Sequence, residues 1–334
     1  MILSRTPHRI SFFGGGTDYP EYYLKYGGKT LGVTIDKYSY LNVRTLPPFF
    51  NHKHRIVYSK QENVNSFDEI VHPSVRETLK YFDLKHGISI NHDGDIPARS
   101  GMGSSSAFTI GLIHSLHALK GEIISKKSLT KEAIHIEQNL IKENVGSQDQ
   151  AFAAHGGLNC IEFLQNGEIN VNPIIMSQKR MQTFQDNIML FFSGLSRTAS
   201  EIVQEQREKT ELNLENLDTM KALVEKAHNI LTDSSKDLAE FGKLLNTTWL
   251  LKKSLSSQIT NDEIDAMYEK ALNAGAIGGK LLGAGGGGFM AFYVEKENQN
   301  SVIKALQDYL HIPFKFDFEG SKIVVYEDEN RNDI

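Results

Sequence analysis

The chain has 334 residues, 40% of them apolar, with 36 basic against 41 acidic side chains and a net charge of −5. That length suggests two domains or one large one, and its 18 Phe, 12 Tyr and 1 Trp supply cores that a disordered chain would lack. The acidic balance gives no basic footprint for nucleic acid or a membrane surface, so neither is expected as a partner.

One cysteine, Cys160, excludes an internal disulfide framework and any Cys-cluster metal site. The first residues carry charge and no long apolar run, and no apolar stretch approaches a membrane span. A soluble, cytoplasmic protein is expected.

The predicted elements alternate strand and helix in the first half. A β-branched and aromatic strand over 9–13 ends in Gly14-Gly15-Gly16. Residues 30–45 alternate apolar and polar in two short runs, with Asp36-Lys37 as a turn between them. A helix is predicted over 73–86, a short strand over 88–91, and helices over 104–119 and 129–142. Asn166-Gly167 signals a hairpin. A strand over 187–192 follows, then about four amphipathic helices between 199 and 274. Strands over 276–282 and 289–294 flank a glycine loop, and a helix over 301–310 leads to short strands over 313–318 and 322–326. The domain boundary is placed near residue 180, giving domains 1–180 and 181–334.

Three glycine clusters stand out. In the first, the strand runs through Arg9 into Gly14, Gly15 and Gly16, then Thr17, Asp18 and Tyr19. Glycines let a ligand approach the backbone, and Asp18 is a natural acceptor for hydroxyl groups. In the second, Gly101, Met102, Gly103, Ser104, Ser105 and Ser106 open a helix. A helix N-terminus offers unpaired N–H groups to an anion, so this segment reads as a phosphate cradle. The third, residues 278–288, contains Lys280 but leads into a strand, which does not suit a dinucleotide fold. It is no Walker A loop either, since Leu281 stands where Ser or Thr belongs. Protein-kinase motifs are absent, and His135-x-Glu137 lacks the cysteines of a zinc deaminase.

In this order and spacing the three segments resemble the GHMP kinases, the superfamily of galactokinase, homoserine kinase and mevalonate kinase. Residues 97–107 resemble the P-x-x-x-G-(L/M)-G-S-S phosphate loop, and 278–288 the C-terminal glycine motif. The resemblance implies an α+β fold of two domains, the first like ribosomal S5 domain 2 and the second ferredoxin-like, with the site between them. Against the galactokinase pattern P-G-R-V-N-L-I-G-E-H-T-D-Y, the residues Arg9, Gly14, Thr17, Asp18 and Tyr19 align, while Gly15 and Gly16 replace Glu-His. Galactose is thereby put in doubt, and the segment is similar to sugar-1-kinases acting on D-glycero-D-manno-heptose 7-phosphate, with L-fucokinases as close cousins.

What the resemblance implies for chemistry is specific. Gly101, Met102, Gly103, Ser104, Ser105, Ser106 and Lys280 are expected to hold ATP. Ser104 and Glu137 are expected beside Mg²⁺. Asp149 is the expected base for the anomeric hydroxyl, with Arg9 beside it balancing phosphoryl charge. Gly14, Gly15, Gly16, Thr17, Asp18 and Tyr19 would line the sugar site. Arg197, or Lys280, would hold a phosphate on the acceptor. The partners implied are ATP and a small sugar phosphate. The rival reading is a silent sugar-binding regulator.

Overall fold

A computed structural model describes residues 1–194, 202, 204, 205, 207 and 209–327. The chain opens with β1 (Ile2–Phe13), α1 (Pro20–Tyr26) and β2 (Gly28–Thr45). Then come β3 (His54–Val57), β4 (Gln61–Val64), α2 (Pro73–Phe82), β5 (Ile88–Gly94) and α3 (Ser104–Leu119). Next are α4 (Lys126–Ile134), a π-helical turn (His135–Leu140), α5 (Gln148–His155), β6 (Leu158–Phe163) and β7 (Ile169–Pro173).

The first sheet runs β4-β3-β5-β2-β1, all antiparallel except β3 on β5, with β6 and β7 continuing from β2. Strand β2 is one long element and not two short ones. The turn expected at Asp36-Lys37 is a bulge: Pro7 pairs with Tyr38, but His8 already pairs with Ile35. One half of β2 pairs with β5 and the other with β6. Leu41, Val43, Ile88 and Ile90 on this sheet bury Ile110, Ile113 and Leu116 of α3. Helix α2 stops earlier than expected because Asp83 turns left-handed, with φ 48°.

The second half contains α6 (Gln178–Asp186), β8 (Ile188–Phe192), α7 (Leu214–Thr232), α8 (Ala239–Ser254) and α9 (Asp262–Asn273). It closes with β9 (Gly278–Leu281), β10 (Phe289–Tyr293), α10 (Gln299–Ala305), β11 (Leu310–His311), β12 (Phe316–Asp317) and β13 (Lys322–Tyr326). Its sheet is β11-β8-β10-β9, antiparallel throughout, the strand order of a ferredoxin-like domain. A division at residue 180 falls inside α6. Strands β12 and β13 return to pair with β2 and β1, so residues 181–334 serve both sheets.

Apolar side chains weld the halves together. Phe12 and Phe13, at the end of β1, meet Phe241 of α8 edge-on at 5.3 and 5.0 Å between ring centres. Two backbone loops meet as closely. Gly101 has φ +82°, and a Cβ there would stand 2.5 Å from the Leu282 carbonyl oxygen. A Cβ on Gly283 would stand 2.4 Å from the Gly101 Cα. Only glycine permits both the left-handed backbone and the contact. Gly101→Ala should therefore lower stability by at least about 1–2 kcal/mol from conformation alone. An unchanged melting temperature would mean that the two loops do not pack.

Candidate active site

Of the expected residues, Arg9, Gly15, Gly16, Asp18, Tyr19, Gly101, Gly103, Ser104, Ser105 and Asp149 line one cleft of about 540 Å³, together with Lys280. Strand β1 carries Arg9 into its floor, where the guanidinium is buried. Its Nε donates to Asp149 Oδ1 at 2.8 Å and one terminal nitrogen to Oδ2 at 2.7 Å. The other terminal nitrogen donates to the Gly101 carbonyl at 2.7 Å. Asp149 sits in the first turn of α5 and keeps a quarter of its side chain open. Gly103 caps α3 with φ +73°, and a Cβ there would stand 3.3 Å from Asp149 Oδ2. The phosphate loop and the Arg9–Asp149 pair are thus in direct contact.

The first glycine segment folds beside this pair. The Thr17 hydroxyl donates to the Gly14 and Lys29 carbonyls, pinning the turn. Asp18 Oδ1 accepts from the Gly16 N–H at 3.0 Å, and Oδ2 from the Gln148 N–H at 3.3 Å. Burial, and then the neighbouring Asp149, push the Asp18 carboxyl up to about 6. Gly15, Gly16, Asp18 and Tyr19 line the cleft, whereas Gly14 and Thr17 do not. Gly14 is a packing glycine: a Cβ there would collide with the Lys29 carbonyl at 1.9 Å. Nothing but Gln148 Nε2, at 3.9 Å, approaches the Cβ position of Gly15.

Within the phosphate loop, Gly101, Gly103, Ser104 and Ser105 face the cleft, while Met102 is buried in the core and Ser106 points away. Ser104 and Glu137 are not brought together. The Ser104 hydroxyl accepts from the Arg99 N–H at 3.2 Å, and Glu137 Oε2 takes Ser106 Oγ at 2.9 Å together with Gln150 Nε2. The physical reason is the π-helical turn, which interrupts the helix expected over 129–142 and buries Glu137 completely. Burial, then Glu143, raises the Glu137 carboxyl to about 7.

Glu143 lines the cleft instead, hydrogen-bonded to Ser105 and facing Arg99. Glu137 Oε1 lacks a well-formed hydrogen bond among the described residues, though the Thr109 hydroxyl acts on the carboxyl. These oxygens beside the N-terminus of α3 are hard donors of the kind that suits Mg²⁺, which takes few protein ligands and the rest from phosphate and water. Among the described residues no three or more His, Cys, Asp or Glu side chains form a metal site by themselves.

The far wall comes from the second half: Met220, Lys252, Leu255, Lys280, Gly283 and Ala284. Lys280 Nζ donates to the Phe12 carbonyl at 3.1 Å, and burial lowers its amine to about 7. Arg197 lies outside the described residues. Sequence reasoning missed Arg99, Lys142, Glu143, Gln148 and Lys252. Arg99 and Gln148 adjoin motif residues. Lys142 and Lys252 carried no signal, and the left-handed φ of Arg99 and Lys142 (60° and 59°) shows only in the fold.

Comparison with known proteins decides the family. The GHMP kinases N-terminal domain matches residues 69–157 and the C-terminal domain residues 219–312. The chain is 31% identical to a D-glycero-alpha-D-manno-heptose 7-phosphate kinase of Campylobacter jejuni over 96% of its length and 98% of that protein's. The chain belongs to the GHMP kinases. It is a sugar kinase that transfers phosphate to a hydroxyl. It is also 26% identical to an L-fucokinase/L-fucose-1-P guanylyltransferase of Bacteroides fragilis, over 90% of this chain and 35% of that one. The crystal structure of a D-glycero-D-manno-heptose 1-phosphate kinase from Bacteroides thetaiotaomicron shares the fold, with a TM-score of 0.79, 24% identity and 98% and 100% of the two chains covered. No helix among the described residues is long and apolar enough to cross a membrane.

Glu137 gives a test of the site's electrostatics. Its folded pKa, about 7, lies above the ordinary 4.5, so the folded protein favours the neutral carboxyl. The stability this contributes is present below about pH 4.5 and is lost as pH rises towards 7. Glu137→Gln keeps an oxygen for Ser106 and Gln150 without the charge. Free of ligands at pH 8, the variant should be more stable than the parent by about 2–3 kcal/mol. Parallel denaturant curves at pH 5 and pH 8 check this, and an unchanged difference between the two would refute it.

Proposed function

We propose that this kinase uses ATP and Mg²⁺ to phosphorylate the anomeric hydroxyl of D-glycero-D-manno-heptose 7-phosphate. The product would be the 1,7-bisphosphate, made in the cytoplasm for a heptose nucleotide-sugar and surface polysaccharide. The observation that carries this is the Arg9–Asp149 pair, which touches the phosphate loop on one side and faces Gly15, Gly16 and Asp18 on the other. A donor phosphate on the loop and an acceptor hydroxyl beside the first glycine segment would meet there. The similarity to a heptose 7-phosphate kinase supports the choice of sugar.

Each group has a physical task. The N-terminus of α3, with Gly101, Gly103, Ser104 and Ser105, receives the ATP phosphates. Ser105 and Glu143 offer hard oxygens to a magnesium ion, which when bound neutralises phosphate charge. Asp149 accepts the hydroxyl proton as the new O–P bond forms. Arg9 fixes the carboxylate through two parallel hydrogen bonds and spreads its charge towards the phosphoryl group. Asp18 and Tyr19 hold sugar hydroxyls, and the open position at Gly15 admits a sugar larger than a hexose or a differently configured one, while Gly16 packs against Leu217. Arg197 is the proposed holder of the acceptor's own phosphate.

Asp149→Asn preserves shape and removes the proton acceptor. Turnover should fall by at least ~10²-fold while ATP binding is kept. Turnover near the parent rate would exclude Asp149 as the base.

Substrate choice is tested by kcat/KM for heptose 7-phosphate, free heptose, L-fucose and galactose at low and high salt. The phosphorylated heptose should be preferred, and its advantage over the free sugar should shrink with salt. Equal efficiency for the two heptoses would move the assignment to a neutral sugar such as L-fucose.

A further inference from the structure

Lys252 is a cation that the scheme above does not use. It lies in the last turn of α8, is 6% exposed, and reaches the cleft wall. Its neighbour Lys253 turns outward to an ordinary ion pair with Asp265 at 2.7 Å. Lys252 turns inward, and among the described residues no acidic side chain pairs with it. Its Nζ donates to the Leu281 carbonyl at 2.9 Å and the Gly283 carbonyl at 2.5 Å. The charged side chains that act on it are Lys280 and Arg9, both of its own sign.

Such an arrangement is costly. A buried ammonium loses several kcal/mol of hydration, and carbonyl dipoles recover only part of that. Two nearby cations add repulsion. The acids lining the cleft are Asp149, already committed to Arg9, Asp18, which acts on Lys280 and is itself pushed towards neutrality, and Glu143, which faces Arg99. The cleft thus gathers three buried basic side chains, Arg9, Lys252 and Lys280, and none of its acids is paired with Lys252.

The position of Lys252 says where the missing charge belongs. Its two carbonyl anchors flank Leu282 in the glycine loop, and that loop packs on Gly101 of the phosphate loop. An ammonium has three N–H bonds. Two are taken by the carbonyls, and no partner among the described residues takes the third.

We propose that Lys252 is a catalytic residue whose ammonium binds the terminal phosphoryl group of ATP and stabilises it in transit. In that step the bond from the terminal phosphorus to the β-phosphate oxygen breaks, and a bond to the sugar oxygen forms. The hydroxyl proton passes to Asp149, and ADP keeps the bridging oxygen. Lys252, with Lys280 and Arg9, faces the charge on the moving group throughout. This assignment rests on the kinase reaction and holds for any acceptor sugar.

Lys252→Gln keeps a donor for one carbonyl and removes the charge. Titration calorimetry with Mg·ATP and Mg·ADP should show affinity for ATP falling at least tenfold more than affinity for ADP. kcat should fall by about 10²-fold, the scale of losing one preorganised charge contact. KM for the sugar should change less than about twofold, as expected for interactions confined to the transferring group. An unchanged ATP-to-ADP preference overturns the proposal. With a raised sugar KM it would place the cation on the acceptor, and with no kinetic change it would leave a loop strut.

Should the variant not fold, the parent protein still decides. Burial with Lys280 and Arg9 nearby holds the Lys252 amine well below its ordinary range. Binding of ATP should then draw more protons from solution than binding of ADP, measured at pH 8 in two buffers of different ionisation heat. Because the Lys280 amine is lowered to about 7 in the same cleft, the excess should persist in Lys280→Gln. Equal proton uptake for the two nucleotides would overturn the assignment.

Discussion

The Arg9 guanidinium is the constraint on which the rest depends. It lies within β1, the strand that pairs with β2 along most of its length and with β13 at its start. From there it bonds both oxygens of Asp149 and the Gly101 carbonyl, while its own backbone N–H holds the Met102 carbonyl. One side chain therefore sets the distance between the phosphate loop, the expected base and the central strand. A lysine could not do this, because the task needs a planar fork with several donors fixed relative to one another. Burial makes the geometry stiff, since the guanidinium cannot find water if the bonds break.

That stiffness would be useless without close approach between the halves. The loop carrying Gly283 meets the loop carrying Gly101 backbone to backbone, and Gly288 lies under the Ser100 carbonyl in the same way. Side chains would hold these segments apart and open a channel for water. With glycines, the carbonyls that anchor Lys252 come within reach of the phosphate loop. The Phe12 and Phe13 contacts with Phe241 fix the same junction from the apolar side, and the Phe12 carbonyl also anchors Lys280. Packing and charge placement are thus two results of one chain segment.

Much of this was legible in the sequence because glycine clusters and helix starts are local signals. The helix at Ser104, the hairpin at Asn166-Gly167 and the strand–loop–strand around residues 283–288 stand where expected. Local signals failed where long-range pairing overruled them. The bulge at Asp36 looks like a turn until β1 and the Lys315 segment are laid against it. The π-helical turn has no sequence mark, so neither the bond between Ser106 and Glu137 nor the place of Glu143, six positions on, was foreseen. Lys252 was invisible for a related reason. In sequence it is one of two adjacent lysines in a helix's last turn, a place where cations are common. Only the fold shows that one points to solvent and the other to the cleft.

The last constraint is electrostatic. The whole chain is acidic, with a net charge of −5, yet its cleft gathers Arg9, Arg99, Lys142, Lys252 and Lys280. An anionic substrate gains nothing from the protein's distant charges, because salt screens them beyond roughly 8–10 Å. Inside the cleft the walls exclude water and the same salt acts weakly, so the local excess of cations decides binding. Charge of this kind attracts any phosphate and cannot by itself choose a sugar. Selectivity must therefore come from the other side of the site, where Gly15 leaves space and Asp18 is held by two backbone N–H groups. The two demands are met by different segments. In the proposed scheme the phosphate loop and the second-half lysines would hold anions, and the first glycine segment would read hydroxyls. Asp149 stands where the two meet, close enough to Asp18 to raise its pKa and bound to Arg9 on the phosphate side.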